Sequence, residues 1–121
     1  MASNAYSSSV SAMLDDLSHL RQTMAANGQG SKPLWITETG WGSDPTTGEG
    51  MQGQRKILIQ ALNALEQKRS VWRIGKVLWW NFRDPAGGKS SNCSFCTSAG
   101  LLTNDFKPKP SWSAFLGYTG G

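Results

Sequence analysis

The chain has 121 residues, of which 38% are apolar, and it carries a formal net charge of +4 with a pI near 9.3. That length fits one domain with a modest core, and no stretch approaches the roughly 20 apolar residues that a membrane span requires. The basic residues are scattered, apart from one group at Lys68, Arg69, Arg73 and Lys76 that is more typical of a solvated face than of a phosphate-binding track. We therefore expect neither a nucleic-acid partner nor a membrane partner.

The first predicted element is an amphipathic helix over residues 8–26. Before it, residues 1–10 are polar and Ser-rich and lack the basic and apolar segments of a signal peptide, so this sequence assigns no location. Ser7–Ser9 offer N-caps, and Asn27-Gly28 supplies a stop. The helix is indicated by apolar side chains that recur at steps of three and four: Val10, Met13, Leu14, Leu17, Leu20 and Met24.

Two apolar runs further along the chain predict buried strands. The first is Pro33–Glu38 and the second is Lys76–Phe82; both are close to continuously apolar, which is typical of a parallel sheet covered on both faces. Between them lie a loop with four glycines, Thr39–Gly50, and a helical pattern over Met51–Arg69. A parallel connection through a helix is therefore expected.

The last third of the chain is predicted to be a long loop and a short helix. Residues 84–100 are rich in Gly, Ser and Cys, and Pro110 suits the first turn of a helix over Pro110–Leu116. The order helix-strand-helix-strand-helix predicts an α/β fold with a short parallel sheet. Because functional loops follow the carboxyl ends of parallel strands, we expect Glu38 and Arg83-Asp84 on one rim.

Residues 35–42, Trp-Ile-Thr-Glu-Thr-Gly-Trp-Gly, hold the candidate chemistry. Glu38 ends a predicted strand, Gly40 and Gly42 allow a ligand to approach the backbone, and Trp35 and Trp41 offer flat surfaces for stacking. The alternative is a structural glutamate that caps a loop or pairs with a cation. The residues by themselves leave both interpretations open.

Three segments, taken in order, resemble the clan A (β/α)8-barrel glycoside hydrolases. The segment around Glu38 resembles their seventh strand, whose Thr-Glu-(small or aromatic)-Gly-Trp run carries the nucleophile. Residues 77–84 resemble the eighth strand, and Gly100–Leu102 with Lys107–Phe115 resembles the closing signature that leads into the last helix. The resemblance extends from the sixth helix to the eighth. It implies that residues 1–121 are a single segment of a TIM-barrel domain, a partial barrel of about two βα units.

The resemblance also implies roles for individual residues. Glu38 is expected to attack the anomeric carbon of a β-linked glucan, xylan or related oligo- or polysaccharide, in a cellulase-like reaction without metal or other cofactor. Side chains expected to bind the substrate are Trp41, Trp79, Trp80, Asn81 and Arg83. Only one of the adjacent pair Trp79 and Trp80 can point into a barrel, and Trp79 is favoured; ordinary core packing is its alternative.

The sequence departs from the family where the second catalytic carboxyl group is concerned. The family's acid/base is a Glu preceded by Asn, and no Asn-Glu pair occurs here. Asp84 is the best substitute, ahead of Asp44 and Glu49, with a loop-ordering role as the alternative. The arginine and the aromatic residue that orient the nucleophile in the family are expected to be missing.

Two parallel strands cannot close a barrel, and their edges need partners. The open face is expected to include Ile36 and either Val77 and Trp79 or Leu78 and Trp80. The chain is thus predicted to be completed by the N-terminal part of a barrel or by association into a homo-oligomer. The alternative function is a non-catalytic carbohydrate-binding or assembly module with a Trp-rich rim.

Cys93 and Cys96 are separated by two residues within the predicted loop. We expect a local disulfide, as in a parent enzyme exported to an oxidising compartment. Free thiols and a redox-active pair are the alternatives. Two cysteines do not by themselves form a zinc site.

Overall fold

The sheet has three strands rather than the two that were predicted. A computed structural model describes residues 1–87 and 92–120, so part of the long Gly/Ser/Cys loop, residues 88–91, lies outside the described residues. The strands are β1 (Ala2–Asn4), β2 (Leu34–Thr39) and β3 (Ile74–Trp79), in the order β1-β2-β3. Both pairings are parallel, which confirms the α/β class and the parallel sheet.

Strand β1 is the element that the sequence did not predict. Its three residues pair with β2 in the register Ala2↔Trp35, Ser3↔Ile36 and Asn4↔Glu38. The main chain extends the pairing on both sides, since Trp35 donates to the Met1 carbonyl at 2.8 Å and Ala5 donates to the Glu38 carbonyl at 2.7 Å. A polar three-residue segment has no apolar alternation that would indicate a strand. This strand forms because its backbone pairs with β2.

Three helices accompany the sheet: α1 (Val10–Ala26), α2 (Gly50–Trp72) and α3 (Pro110–Thr119). Each was predicted, with ends that differ by up to three residues. The Ser9 hydroxyl caps α1 by accepting from Ala12 N at 3.2 Å, and α3 begins with Pro110 in its first turn. In the part of the chain that the structure describes, no helix is long and apolar enough to cross a membrane.

The chain divides into two compact units. Unit 1 comprises Met1–Thr39 and Ala61–Trp79, and unit 2 comprises Gly40–Gln60 and Trp80–Gly121. The sheet and α1 belong to unit 1. Unit 2 contains the loop after β2, the start of α2, the segment that follows β3, and helix α3.

The core of unit 1 lies on one face of the sheet. Leu34 and Ile36 are fully buried, and Met13 of α1 lies against β2, because its sulfur is 3.6 Å from Thr39 Oγ1. The opposite face carries Trp35, 46% exposed, and Leu78, 51% exposed. The expectation that Ile36 lies on the open face is therefore wrong, since strand alternation points Trp35 that way instead.

Strand β3 begins and ends earlier than predicted. The apolar run through Phe82 suggested a strand over Lys76–Phe82, but the ladder ends at Trp79. Beyond it the chain pairs with a later segment: Asn81 N donates to Ala99 O at 3.2 Å, and Leu101 N donates to Asn81 O at 3.1 Å. The apolar run ends at Phe82, which is 55% exposed and makes an edge-on ring contact with Trp112, with the centroids 5.9 Å apart.

Candidate functional site

Glu38 lies near the carboxyl end of β2 and is held by a tyrosine from the segment after β1. Tyr6 Oη donates to Glu38 Oε2 at 2.7 Å. Burial, the hydrogen bond and the negative charge of Glu38 together raise the pKa of Tyr6 above its usual range, so the phenol stays protonated and remains a donor. The expectation that no aromatic residue orients Glu38 is wrong: Tyr6 does so.

The backbone around Glu38 is fixed by its two threonine neighbours. Thr37 Oγ1 donates to Asn4 Oδ1 at 2.9 Å, and Thr39 Oγ1 donates to the Ala5 carbonyl at 2.9 Å. Both bonds join β2 to the chain that leads to Tyr6. The carboxylate and its phenol donor therefore lie on two segments of unit 1 that are hydrogen-bonded to each other.

The loop after β2 is packed more tightly than the sequence suggested. Trp41 is only 5% exposed, and its backbone carbonyl accepts from Gln54 Nε2 at 2.8 Å, so this part of the loop packs against α2. A side chain at Gly42 would meet Ser98 Oγ at 2.6 Å. The binding role of Trp41 stays a prediction, and Gly42 permits close packing of loops within unit 2.

Asp84 is part of a polar cluster around buried Lys109 that also contains Ser43 and Ser98. Lys109 is 3% exposed, and its Nζ lies 2.6 Å from Asp84 Oδ2. The same ammonium donates to Ser43 Oγ at 2.9 Å and to the Ser98 carbonyl at 3.0 Å, while Gly100 N donates to Asp84 Oδ1 at 2.8 Å. Both oxygens of Asp84 are thus engaged in contacts that order the loops.

Burial of Lys109 lowers the pKa of its ammonium, and Asp84 opposes that shift through a hydrogen bond and its charge. A second buried contact joins the neighbouring helices, because Ser111 Oγ donates to Gln54 Oε1 at 2.8 Å. None of these buried pairings was predicted, since lysine and glutamine are usually exposed and no local pattern indicates their burial.

The other predicted binding residues are divided between the units. Trp79 ends β3 in unit 1 and is half-buried, whereas Trp80, Asn81 and Arg83 belong to unit 2. The Arg83 guanidinium stacks on the Phe106 ring, with its central carbon 4.3 Å from the ring centroid. The roles of these four residues in binding a substrate stay predictions, as does the shared rim of Glu38 and Asp84.

Unit 2 also contains a pocket of about 360 Å³. Asp44 borders it, and its Oδ1 accepts from the backbone N–H groups of Thr46 at 2.8 Å and Thr47 at 3.0 Å. These bonds lower the pKa of Asp44. The side chains lining the pocket are Ser43, Asp44, Pro45, Met51, Asp84 and Ser98.

Cys93 and Cys96 are joined by a disulfide, with their Cα atoms 5.4 Å apart. Cys96 is also the first residue of a 3-10 turn, Cys96–Ser98, which supplies Ser98 to the polar cluster around Lys109. Within residues 1–87 and 92–120, no three His, Cys, Asp or Glu side chains gather in a way that would hold a metal ion.

A scan against protein-family models and a search of curated proteins each found no match. Solved structures do match. A GH2 β-galacturonidase from Eisenbergiella tayi aligns with 93% of this chain at a TM-score of 0.69 and 22% identity. A GH5_18 protein from Streptomyces cattleya, in complex with Manβ1-4GlcNAc, aligns with 84% of this chain at a TM-score of 0.59 and 21% identity. A family 39 glycoside hydrolase from Bacteroides cellulosilyticus aligns with 83% of this chain at a TM-score of 0.60 and 24% identity.

These fold neighbours are glycoside hydrolases, and the chain spans only a part of each. It covers 22%, 24% and 20% of the three structures, respectively. At these identities the likeness concerns the fold: the three helices and the small parallel sheet resemble a fragment of a glycoside hydrolase barrel.

Proposed function

We propose that this chain supplies the nucleophile of a retaining glycoside hydrolase that cleaves β-linked oligo- or polysaccharides. The observation that carries the proposal is Glu38, near the carboxyl end of a parallel strand, with Tyr6 Oη donating to its Oε2 at 2.7 Å. Functional groups of parallel α/β folds collect at that end of the strands. The likeness in fold to glycoside hydrolases supports the same conclusion.

In the proposed reaction, Tyr6 positions the Glu38 carboxylate and Glu38 Oε1 attacks the anomeric carbon of the sugar. A bond forms between that oxygen and the carbon as the glycosidic C–O bond breaks, and an acid transfers a proton to the leaving oxygen. Water then hydrolyses the glycosyl-enzyme, and the acid takes a proton back as a base. Tyr6 keeps its proton throughout and acts as a positioning residue.

The acid/base is assigned to a carboxyl group that is not Asp84. Retention requires a second carboxyl group about 5–5.5 Å from the nucleophile, and it must be protonated to act as an acid. Both oxygens of Asp84 are already engaged: buried Lys109 lies 2.6 Å from Oδ2, and Gly100 N donates to Oδ1 at 2.8 Å, contacts that order the loops. We therefore place the acid on a second copy of this chain or on further strands of a barrel.

The first test is turnover of aryl β-glycosides by Glu38→Gln, with Glu66→Gln as the matched control on the exposed face of α2. Replacing the carboxylate by an amide keeps the shape and removes the nucleophile, so activity should fall by at least about a thousandfold. The control should retain it. Unchanged turnover in Glu38→Gln would exclude Glu38 as the nucleophile.

A second test separates a nucleophile from a merely structural glutamate. In Glu38→Ala, added azide can occupy the vacated space and attack the anomeric carbon itself. The expected product is a glycosyl azide of inverted configuration, detected by NMR. Rescue without such a product, or the same product from Glu66→Ala, would contradict the assignment.

A non-catalytic carbohydrate-binding module is the second candidate. The observation that favours it is Trp35, a residue that is 46% exposed on the open face of the sheet, where an aromatic side chain can stack on a sugar. Such a module would bind β-linked oligosaccharides without hydrolysing aryl β-glycosides under any assembly condition. Trp35→Ala would then abolish binding, whereas Glu38→Gln would leave it unchanged.

A further inference from the structure

The pocket of about 360 Å³ in unit 2 has walls of two chemical kinds. Asp44, Asp84 and the hydroxyl groups of Ser43 and Ser98 provide oxygen atoms, whereas Pro45 and Met51 provide apolar surface. Its size is at the small end of the range of ligand pockets, roughly 300–1,000 Å³. A sugar ring has the matching composition, with hydroxyl groups around its edge and C–H groups on its faces.

The two carboxylates are held in place before any ligand arrives. Asp84 is fixed by buried Lys109 and by Gly100 N, and Asp44 is fixed by the N–H groups of Thr46 and Thr47. The backbone of Asp44 is also anchored, because its N–H donates to Ser98 Oγ at 3.0 Å. Acceptors that are already ordered lose little freedom on binding, which favours recognition of hydroxyl groups.

The charges around the pocket do not cancel. Lys109 neutralises Asp84, and among the described residues no ion pair involves Asp44. The Asp44 carboxylate stays ionised because two backbone N–H groups stabilise its charge. The pocket is thus negative overall, which disfavours a ligand that carries its own carboxylate.

We propose that this pocket is a saccharide subsite that takes one neutral pyranose ring and rejects a uronic acid. Hydroxyl groups of the ring donate to Asp44 and Asp84, and its C–H face packs against Met51 and Pro45. The choice of a sugar rests on the function proposed for Glu38, but the pocket itself is argued from unit 2 alone.

The test is an NMR titration of the ¹⁵N-labelled chain carrying Glu38→Gln, so that no turnover occurs. Cellobiose is the neutral probe and glucuronic acid is the charged one. Saturable shifts are expected with cellobiose at the amides of Ser43, Asp44, Met51 and Ser98, and none with glucuronic acid. Absence of these shifts with cellobiose, or equal shifts with glucuronic acid, would overturn the proposal.

Two variants and one control assign the contacts. Asp44→Asn keeps an oxygen to accept from Thr46 and Thr47 but removes the charge, and it should weaken cellobiose binding at least about fivefold. Met51→Ala removes the apolar wall at an exposed position and should also weaken it. Asp15→Asn makes the same charge change at an exposed position of α1 and should leave cellobiose binding unchanged. An unchanged dissociation constant in both pocket variants would contradict the proposal.

The outcomes of this titration differ from those of the Glu38 tests. If aryl glycosides are not hydrolysed but the pocket amides shift, the subsite stands and the catalytic proposal fails. If hydrolysis depends on Glu38 but cellobiose does not shift these amides, the catalytic proposal stands and the subsite is excluded.

Discussion

Glu38 and Tyr6 are 32 residues apart in the sequence, and their side-chain oxygens are 2.7 Å apart in the structure. The local sequence around Glu38 predicts a carboxylate at the end of a strand. It contains nothing that selects Tyr6, which lies in a Ser-rich segment without an apolar pattern. Only the parallel pairing of β1 with β2 places the phenol beside the carboxylate, and pairing between distant segments has no local signal.

This contact predicts how stability depends on pH. The pKa of Tyr6 is raised in the folded chain above the ordinary phenol value of 10.0, so its stabilising contribution is complete below about pH 10. As the pH rises further, the unfolded state releases the phenol proton first and stability falls. Urea unfolding between pH 8 and 11 should show this fall in the wild type and a smaller one in Tyr6→Phe.

Two further variants test the cause of that fall. Glu38→Gln removes the negative charge and the carboxylate acceptor, so the fall should be smaller than in the wild type, with the part due to burial remaining. Tyr118→Phe makes the same substitution at an exposed position and should leave the wild-type dependence unchanged. A dependence that is identical in Tyr6→Phe and the wild type would contradict the assignment to Tyr6.

The ion pair of Lys109 and Asp84 predicts a large loss of stability on substitution of the lysine. Lys109→Met leaves a poorly exposed carboxylate without its cation and should cost about 3 kcal/mol in the free energy of unfolding. Adding Asp84→Asn removes the unpaired charge and should recover part of the loss. Urea denaturation measures both changes.

The neighbouring lysine supplies a matched control. Lys107 pairs with Asp105 at 2.7 Å, but both side chains are mostly exposed, so Lys107→Met should change stability little. Equal effects of the two lysine substitutions would show that burial of Lys109 is not what makes its pair important.

At the scale of elements, the sequence predicts a helix or strand best where its apolar side chains recur regularly over many residues. Helix α1 was predicted over residues 8–26 and observed at Val10–Ala26, because its apolar side chains mark one face and Ser9 marks the start. Strand β3 was misplaced because Trp80 and Phe82 continue the apolar run after the ladder has ended. Apolar character alone does not distinguish a strand from the segment that follows it, and Phe82 is 55% exposed.

The disulfide between Cys93 and Cys96 lies in the loop after β3, and mass analysis tests it directly. Intact-mass analysis should show a gain of about 2 Da on reduction, because one disulfide becomes two thiols. The loop that it closes is short, so its contribution to stability should be below the roughly 3 kcal/mol of a 15-residue loop. A double variant, Cys93→Ser with Cys96→Ser, should show no mass change with reductant. Two thiols titrating in the wild type after oxidising purification would reject the bond.

At the scale of the whole molecule, the sheet of unit 1 exposes surface that proteins usually cover. In the described part of the chain β1 and β3 are the outer strands of the sheet, so each has one side without a partner strand. Trp35 and Leu78 add exposed apolar side chains on one face. Both features favour association, and they do so independently of the function proposed for Glu38.

We therefore predict that the chain self-associates through the exposed face of this sheet. Symmetric pairing of two or more copies covers Trp35 and Leu78 and brings several Glu38 side chains into one assembly, where a neighbour can supply the missing acid. Light scattering coupled to size exclusion at low micromolar concentration should give a mass that is a multiple of 13.1 kDa. Leu78→Lys places a charge on that face and should shift the chain towards the monomer. Val71→Lys, at a position of α2 that is 76% exposed, is the matched control and should leave the mass unchanged. A folded 13.1 kDa species that melts cooperatively, with no larger form, would show that this face needs no partner.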